Sequence, residues 1–133
     1  MFKFAIIFNS NTSGDRELKL TNTIIKLLKR NHQVELFETE TEQAAAKIFK
    51  KLSSRNFDRL IIVGGDGSMY FAVNEILKLS SLADKLIGYI PSGTTNILQI
   101  EMKIKKNTDE IYRVLVSDKA KRINLTKIND KYF

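Results

Sequence analysis

The chain has 133 residues, 43% hydrophobic and 28% charged, the balance of one globular domain large enough for a core. It contains no cysteine, which excludes disulfides, thiol nucleophiles and thiolate metal sites and makes the cytosol the default compartment. Its net charge of +7 comes from small scattered groups, such as Lys103, Lys105 and Lys106, without a dense run or interleaved aromatic residues, so no nucleic-acid partner is expected.

That spread of charge reads mainly as solvated helix faces, and its diffuse positive field favours anionic lipid surfaces or nucleotides. In chain order, residues 2–8 are apolar but too short, and too broken by Lys3, for a membrane span or signal segment. Residues 4–8 read as a first strand. A polar stretch containing Gly14 follows. Leu18, Ile24, Ile25, Leu27 and Leu28 then make a helical stripe, with Thr21, Asn22 and Lys26 directed outward. The one histidine, His32, falls in a polar turn and reads as solvated. Residues 33–39 suggest a second strand. Thr41 is placed to cap a helix running to residue 52, with Ala44, Ala45, Ile48, Phe49 and Leu52 on one face.

The third strand spans residues 58–63, and its helix starts near Ser68 with Met69, Ala72, Val73, Ile76 and Leu77 inward. Residues 86–90 form a fourth strand, followed by a short apolar helical segment at 97–102. Thr108 is placed to cap a last helix that buries Ile111, Val114 and Leu115. Residues 122–128 alternate like a strand, Asn129-Asp130 is a two-residue turn signal, and residues 131–133 begin a return strand. So short a return strand suggests one domain, residues 1–133, excised from a longer protein. The alternation predicts an α/β fold with a largely parallel sheet and an antiparallel appendage.

Two loops carry the chemistry. Gly64-Gly65-Asp66-Gly67-Ser68 links an apolar strand directly to a helix. Three glycines let the backbone turn sharply and bring N–H groups close to an anion, and the helix points its positive end at the same place. A carboxylate inside a phosphate cradle would repel the ligand, so Asp66 implies a metal ion or a reacting hydroxyl beside it. Pro91-Ser92-Gly93-Thr94-Thr95-Asn96 follows the next strand in the same manner. Loops at the carboxyl ends of neighbouring parallel strands converge. Hydroxyls from Ser68, Thr94 and Thr95 and the amide of Asn96 can therefore enclose one polyphosphate.

The Gly-x₄-Gly-Lys-Ser/Thr pattern of a P-loop is absent, and the dinucleotide fingerprint would need a small residue where Tyr70 stands. Paired carboxylates of the glycosidase kind and zinc motifs are missing as well. The two loops, some 25 positions apart, instead resemble the Gly-Gly-Asp-Gly-Thr and Pro-x-Gly-Thr-x-Asn motifs of the diacylglycerol kinase catalytic domain family. Bacterial lipid kinases, sphingosine kinases and ceramide kinases belong to it. Asn9, Ser10, Asn11, Thr12, Ser13 and Gly14 resemble the family's Asn-Pro-x-Ser-Gly loop with one extra residue and no proline. Thr39 matches a threonine that closes the second strand.

The resemblance implies a phosphofructokinase-like three-layer α/β domain that binds ATP and Mg²⁺ and phosphorylates a lipid alcohol at a membrane surface. It also implies a C-terminal β-sandwich that this chain does not include. The ATP site would be lined by Asn9, Ser10, Asn11, Thr12, Ser13, Gly14, Thr39, Gly64, Gly65, Gly67, Ser68, Gly93, Thr94, Thr95 and Asn96. Asp66 would act on Mg²⁺ or as general base. The implied setting is the cytoplasm, with peripheral membrane contact and a homodimer both open. Ser68 keeps the hydroxyl of the family threonine, and Asn74 matches a frequent asparagine. Tyr70, Phe71, Ile97 and Asn124 replace polar or acidic residues. Those departures keep a non-catalytic nucleotide-binding module as an alternative. NAD kinase, which shares the first loop but not the second, is another.

Overall fold

Side-chain alternation along two strands builds the layers of the computed structural model, which describes residues 1–9, 11 and 14–133. On β1 (Lys3–Asn9), Phe4, Ile6 and Phe8 join one buried cluster while Ala5 and Ile7 join another. On β3 (Arg59–Gly64), Ile61 and Val63 lie with the first cluster and Leu60 and Ile62 with the second. The first face is covered by α1 (Asp15–Asn31) and α6 (Thr108–Val116) through Ile24, Ile25, Leu28, Ile111 and Leu115. The second is covered by α2 (Glu42–Leu52), α3 (Asp66–Lys78) and α4 (Ser80–Ala83) through Ala45, Phe49, Leu52, Ala72, Ile76 and Leu82. Burying each large apolar side chain contributes about 1.5–3 kcal/mol, so both faces of the sheet are needed to hold it.

The strands run parallel in the order β2-β1-β3-β4, with β2 at Gln33–Thr39 and β4 at Leu86–Pro91. After β2 the chain returns to the other side of β1, so the order reverses between β1 and β3. That reversal leaves a crevice at the carboxyl ends of the strands, the usual ligand position in open α/β sheets. The register sets Asn9 beside Thr39 and Gly64 beside Pro91, so every loop singled out in the sequence leaves from one edge of the sheet. A separate hairpin, β5 (Lys127–Ile128) and β6 (Lys131–Tyr132), turns at Asn129, whose φ of 53° suits asparagine better than most residues.

Several expectations about helix faces and ends change. Thr21 is buried in the α1 interface, while Leu77 and Val114 point to solvent. Asn107 caps α6, accepting from the N–H groups of Asp109 and Glu110; Thr108 is the first helical residue. α3 begins at Asp66, two residues before Ser68. The strand expected over 122–128 is confined to Lys127–Ile128, with Thr126 exchanging backbone hydrogen bonds with Phe133 beside it, because no neighbouring strand accompanies residues 122–125. Thr41 caps α2 as expected, accepting from Ala44 N–H at 3.1 Å.

His32 is packed rather than solvated. It stacks on Phe2 at 5.5 Å between ring centroids, meets Phe4 edge-on, and accepts a hydrogen bond from Phe2 N–H at Nδ1. Burial lowers its pKa first, and the N-terminal amine and Arg59 lower it further. Nearby, the buried Arg59 donates to the carbonyls of Leu115 and Ser117 at the end of α6, reaches Asp118 at 3.2 Å, and lies 3.9 Å from the Phe2 ring. A guanidinium here satisfies carbonyls that the last turn of a helix leaves without partners.

Candidate functional site

The two glycine loops touch each other. A Cβ on Gly93 would stand 2.5 Å from Gly65 Cα, and one on Gly65 would stand 3.2 Å from Gly93 Cα. Gly64 is constrained differently, because a Cβ there would collide with Ser68. None of the glycines has a positive φ. They are required by close approach, not by the sharp turn expected from the sequence. Gly67 is the exception: a Cβ there would meet nothing within 4 Å. Its bare backbone faces open space.

Gly65 is the residue before α3, and no side chain caps that helix. The first N–H groups of a helix lack intrahelical acceptors, so the backbone at Asp66, Gly67 and Ser68 offers donors at the positive end of the helix. Together with Gly93, Thr94, Thr95 and Asn96 these residues line one open cradle. Thr94 and Thr95 are exposed. Asn96 is buried and left-handed, with a φ of 50°. Its amide is committed to the loop: it accepts from Gly93 N–H at 3.0 Å and donates to Gly93 O at 2.7 Å. The Tyr89 hydroxyl, which the sequence reading did not single out, approaches the same Asn96 oxygen at 3.4 Å. Burial, and then the charge of Asp66, push the Tyr89 pKa up to about 12, so it stays a neutral donor beneath the loop.

Asp66 has an unexpected employment. Its two carboxylate oxygens accept the backbone N–H groups of Ile97 (2.7 Å) and Leu98 (3.0 Å), capping α5 (Ile97–Glu101) from the other loop. A carboxylate in the cradle therefore does not by itself require a metal or a hydroxyl. Each oxygen still has a further lone pair. Among the described residues Asp66 is the only acidic one lining the cradle, and no three acidic or histidine side chains gather as metal ligands. Mg²⁺ is commonly held by one or two carboxylates plus phosphate oxygens. The donor set here fits an ion that arrives with a polyphosphate and not one held by protein alone.

A second cavity, of about 260 Å³, opens between α2 and α3 and shares Gly67 and Ser68 with the cradle. Its floor is apolar, from Ile7, Ala45, Phe49, Ile62 and Phe71, and its rim carries Asn9, Thr39, Thr41 and Glu42. Asn9 and Thr39 are thus brought together, and Asn9 Oδ1 accepts from the N–H of the exposed Asn11. Gly14 precedes α1 at its N-terminus. Ser10, Thr12 and Ser13 lie outside the described residues.

Two departures from the family motifs acquire a packing reason. Phe71 faces Phe49 at 6.4 Å, and Tyr70 lies against Phe133 at 5.2 Å. Asn74, buried on the same helix, grips the hairpin: it donates to Tyr132 O and accepts from Tyr132 N–H, both at 3.0 Å. Hydrophobic periodicity alone does not reveal that role.

Fold and site together define an α/β domain with an open cradle built from two strand-to-helix loops. The sequence profile of the diacylglycerol kinase catalytic domain matches residues 3–128, and the chain belongs to that family. It is 28% identical over 135 residues to a diacylglycerol kinase of Staphylococcus haemolyticus (strain JCSC1435), covering all of this chain and 40% of the relative. For a diacylglycerol kinase of Staphylococcus aureus (strain bovine RF122 / ET3-1) the identity is 29% and the share of that protein 42%. The chain thus spans about two fifths of the length of the curated relatives it matches. A crystal structure of a diacylglycerol kinase from Bacillus anthracis str. Sterne superposes with a TM-score of 0.82 at 24% identity, over 98% of this chain and 45% of that one.

Proposed function

We propose that this chain is the nucleotide-binding part of an ATP-dependent lipid kinase, which transfers the γ-phosphoryl group of ATP to a lipid alcohol such as diacylglycerol. The observation that carries this reading is the continuity at Gly67 and Ser68 between a polar cradle rich in backbone donors and a cavity with an apolar floor. Phosphates suit the first and a base suits the second. Thr94 and Thr95 add hydroxyl donors to the phosphates, and Asn9 and Thr39 stand at the rim of the base cavity. Asn11 and Gly14, in the chain after β1, would add polar contacts to the nucleotide. Asp66, together with phosphate oxygens of the nucleotide, would hold Mg²⁺, which when bound would supply charge neutralisation for the transferring group. Asp66 alternatively takes the proton of the lipid hydroxyl, and its hold on α5 keeps both loops in register for either task.

A non-catalytic nucleotide-binding module is the second reading, favoured by one observation: the carboxylate of Asp66 in the cradle is already engaged with α5. Calorimetric titration with Mg-ATP tests the main reading, with NAD as the competing ligand. Saturable ATP binding is expected, with Mg²⁺ dependence lost in Asp66→Asn, which keeps an acceptor for α5 but removes the charge. No ATP binding by the folded chain, or preference for NAD, overturns it. ATP binding without any lipid phosphorylation by the full-length protein selects the second reading. The 133 residues alone are expected to phosphorylate diacylglycerol in micelles only weakly, since the relatives are more than twice as long.

A further inference from the structure

We propose that Phe71 is the base-selecting residue of the nucleotide site, an aromatic wall that makes the site prefer purine over pyrimidine nucleotides. The inference deepens the kinase reading and rests on its assignment of a base to the cavity between α2 and α3. Gly67 and Ser68, which line both the cradle and that cavity, stand four and three positions before Phe71 on α3. Residues at those spacings share one helix face, about one turn of 5.4 Å apart. A single stripe of α3 therefore leads from the backbone donors of the cradle to an aromatic ring.

Exposure singles Phe71 out. The other apolar residues of the lining, Ile7, Ala45, Phe49, Ile62, Val63 and Ala72, are at most 7% exposed and belong to the core. Phe71 is half-buried, so the accessible apolar surface of the cavity is largely its own. The ring does not stand free: it leans on the buried Phe49, with 6.4 Å between centroids and 60° between planes. Room remains beside it because α2 and α3 present Ala45 and Ala72 to the cavity, where larger side chains would close a normally packed interior. Phe71 also stands in place of a polar or acidic residue of the family motif. Such a residue would recognise a ligand through hydrogen bonds. A phenyl ring recognises it through stacked area instead, and a two-ring purine covers more of the ring than a one-ring pyrimidine.

The test is calorimetric titration of the 133-residue chain with the Mg²⁺ complexes of ATP, GTP, UTP, CTP and inorganic tripolyphosphate. ATP and GTP are expected to bind about tenfold more tightly than UTP and CTP. Phe71→Leu, which keeps an apolar side chain, should bring the four nucleotides within about threefold of one another. Tripolyphosphate, which has no base, should bind that variant within about twofold of the native chain. Phe71→Tyr, which keeps the ring, should retain the purine preference. The triphosphate of 2-aminopurine riboside should lose fluorescence by stacking when it binds the native chain, a readout that needs no variant. Equal affinity for purine and pyrimidine nucleotides overturns the proposal. So does an unquenched 2-aminopurine signal in the bound native chain, and so does a purine preference that survives in folded Phe71→Leu. In each of these outcomes triphosphates still bind, so the kinase reading stands. Binding of none of the nucleotides overturns both.

Discussion

The two ends of the same four strands are built on opposite plans. At the amino ends, polar groups are paired within the protein. Arg59 takes the last carbonyls of α6, Asp58 accepts from Lys3 N–H at 2.7 Å, and His32 accepts from Phe2 N–H at 3.1 Å. At the carboxyl ends the backbone at Asp66, Gly67 and Ser68 begins a helix without a side-chain cap, and Thr94 and Thr95 face solvent. Where side chains do pair there, as Asn96 and Asp66 do, they tie one loop to itself or to the other and leave the cradle open. One end spends its hydrogen-bonding capacity on stability, the other keeps donors available for a ligand.

If that division holds, substitutions at the amino ends should lower stability without touching nucleotide affinity. Arg59→Leu gives the largest effect: losing charge-assisted hydrogen bonds to buried carbonyls should cost about 2–3 kcal/mol in urea unfolding. Mg-ATP affinity measured by calorimetry should stay within about twofold. A large affinity loss would break the comparison.

Gly93→Ala comes next and acts at the other end. Its Cβ, 2.5 Å from Gly65 Cα, must push the loops apart, costing about 1–3 kcal/mol and lowering Mg-ATP affinity at least about tenfold. Gly67→Ala sharpens the point. It meets no protein atom within 4 Å, so stability should change by less than about 0.5 kcal/mol while nucleotide affinity falls. If Gly67→Ala binds ATP normally, phosphates do not approach there.

Asn74→Ala should cost about 1 kcal/mol, concentrated in the hairpin. Hydrogen exchange at Tyr132 N–H should accelerate about tenfold, since Asn74 Oδ1 is its acceptor.

The smallest effect is on pH dependence. His32 has a folded pKa below its ordinary 6.5, because burial and then the N-terminal amine and Arg59 oppose its charge. The unfolded chain therefore takes up the proton first as pH falls. Stability from the neutral ring is complete above about pH 6.5 and is lost as pH drops through the folded value. The urea midpoint should decline in that window for the native chain. In His32→Asn, which retains an acceptor for Phe2 N–H, the decline should disappear.

How much of this was readable in advance differs from element to element. Strands β1 to β4 and helices α1 to α3 followed from apolar spacing, because a strand between two helical layers must be apolar on both sides and a covering helix on one. The loops at Gly64 and Pro91 were recognisable because backbone that approaches another backbone tolerates only glycine. Spacing failed where a polar residue was buried or an apolar one left out: Thr21, Asn74, Leu77 and Val114 all break the stripe. It failed again at residues 122–125, since alternation marks a strand only if a partner strand is there to accept its hydrogen bonds.

What the sequence by itself determined was the α/β alternation, the two loops and the family motifs they carry. Only the tertiary structure decided that the loops meet glycine on glycine, that Asp66 caps α5, that Asn96 closes its own loop, and that Tyr70 and Phe71 serve packing. These are contacts between segments about 20 to 60 residues apart, except for Asn96. Local patterning records which way a side chain faces, but the partner it finds there depends on strand order and register, which bring distant carboxyl ends to one edge.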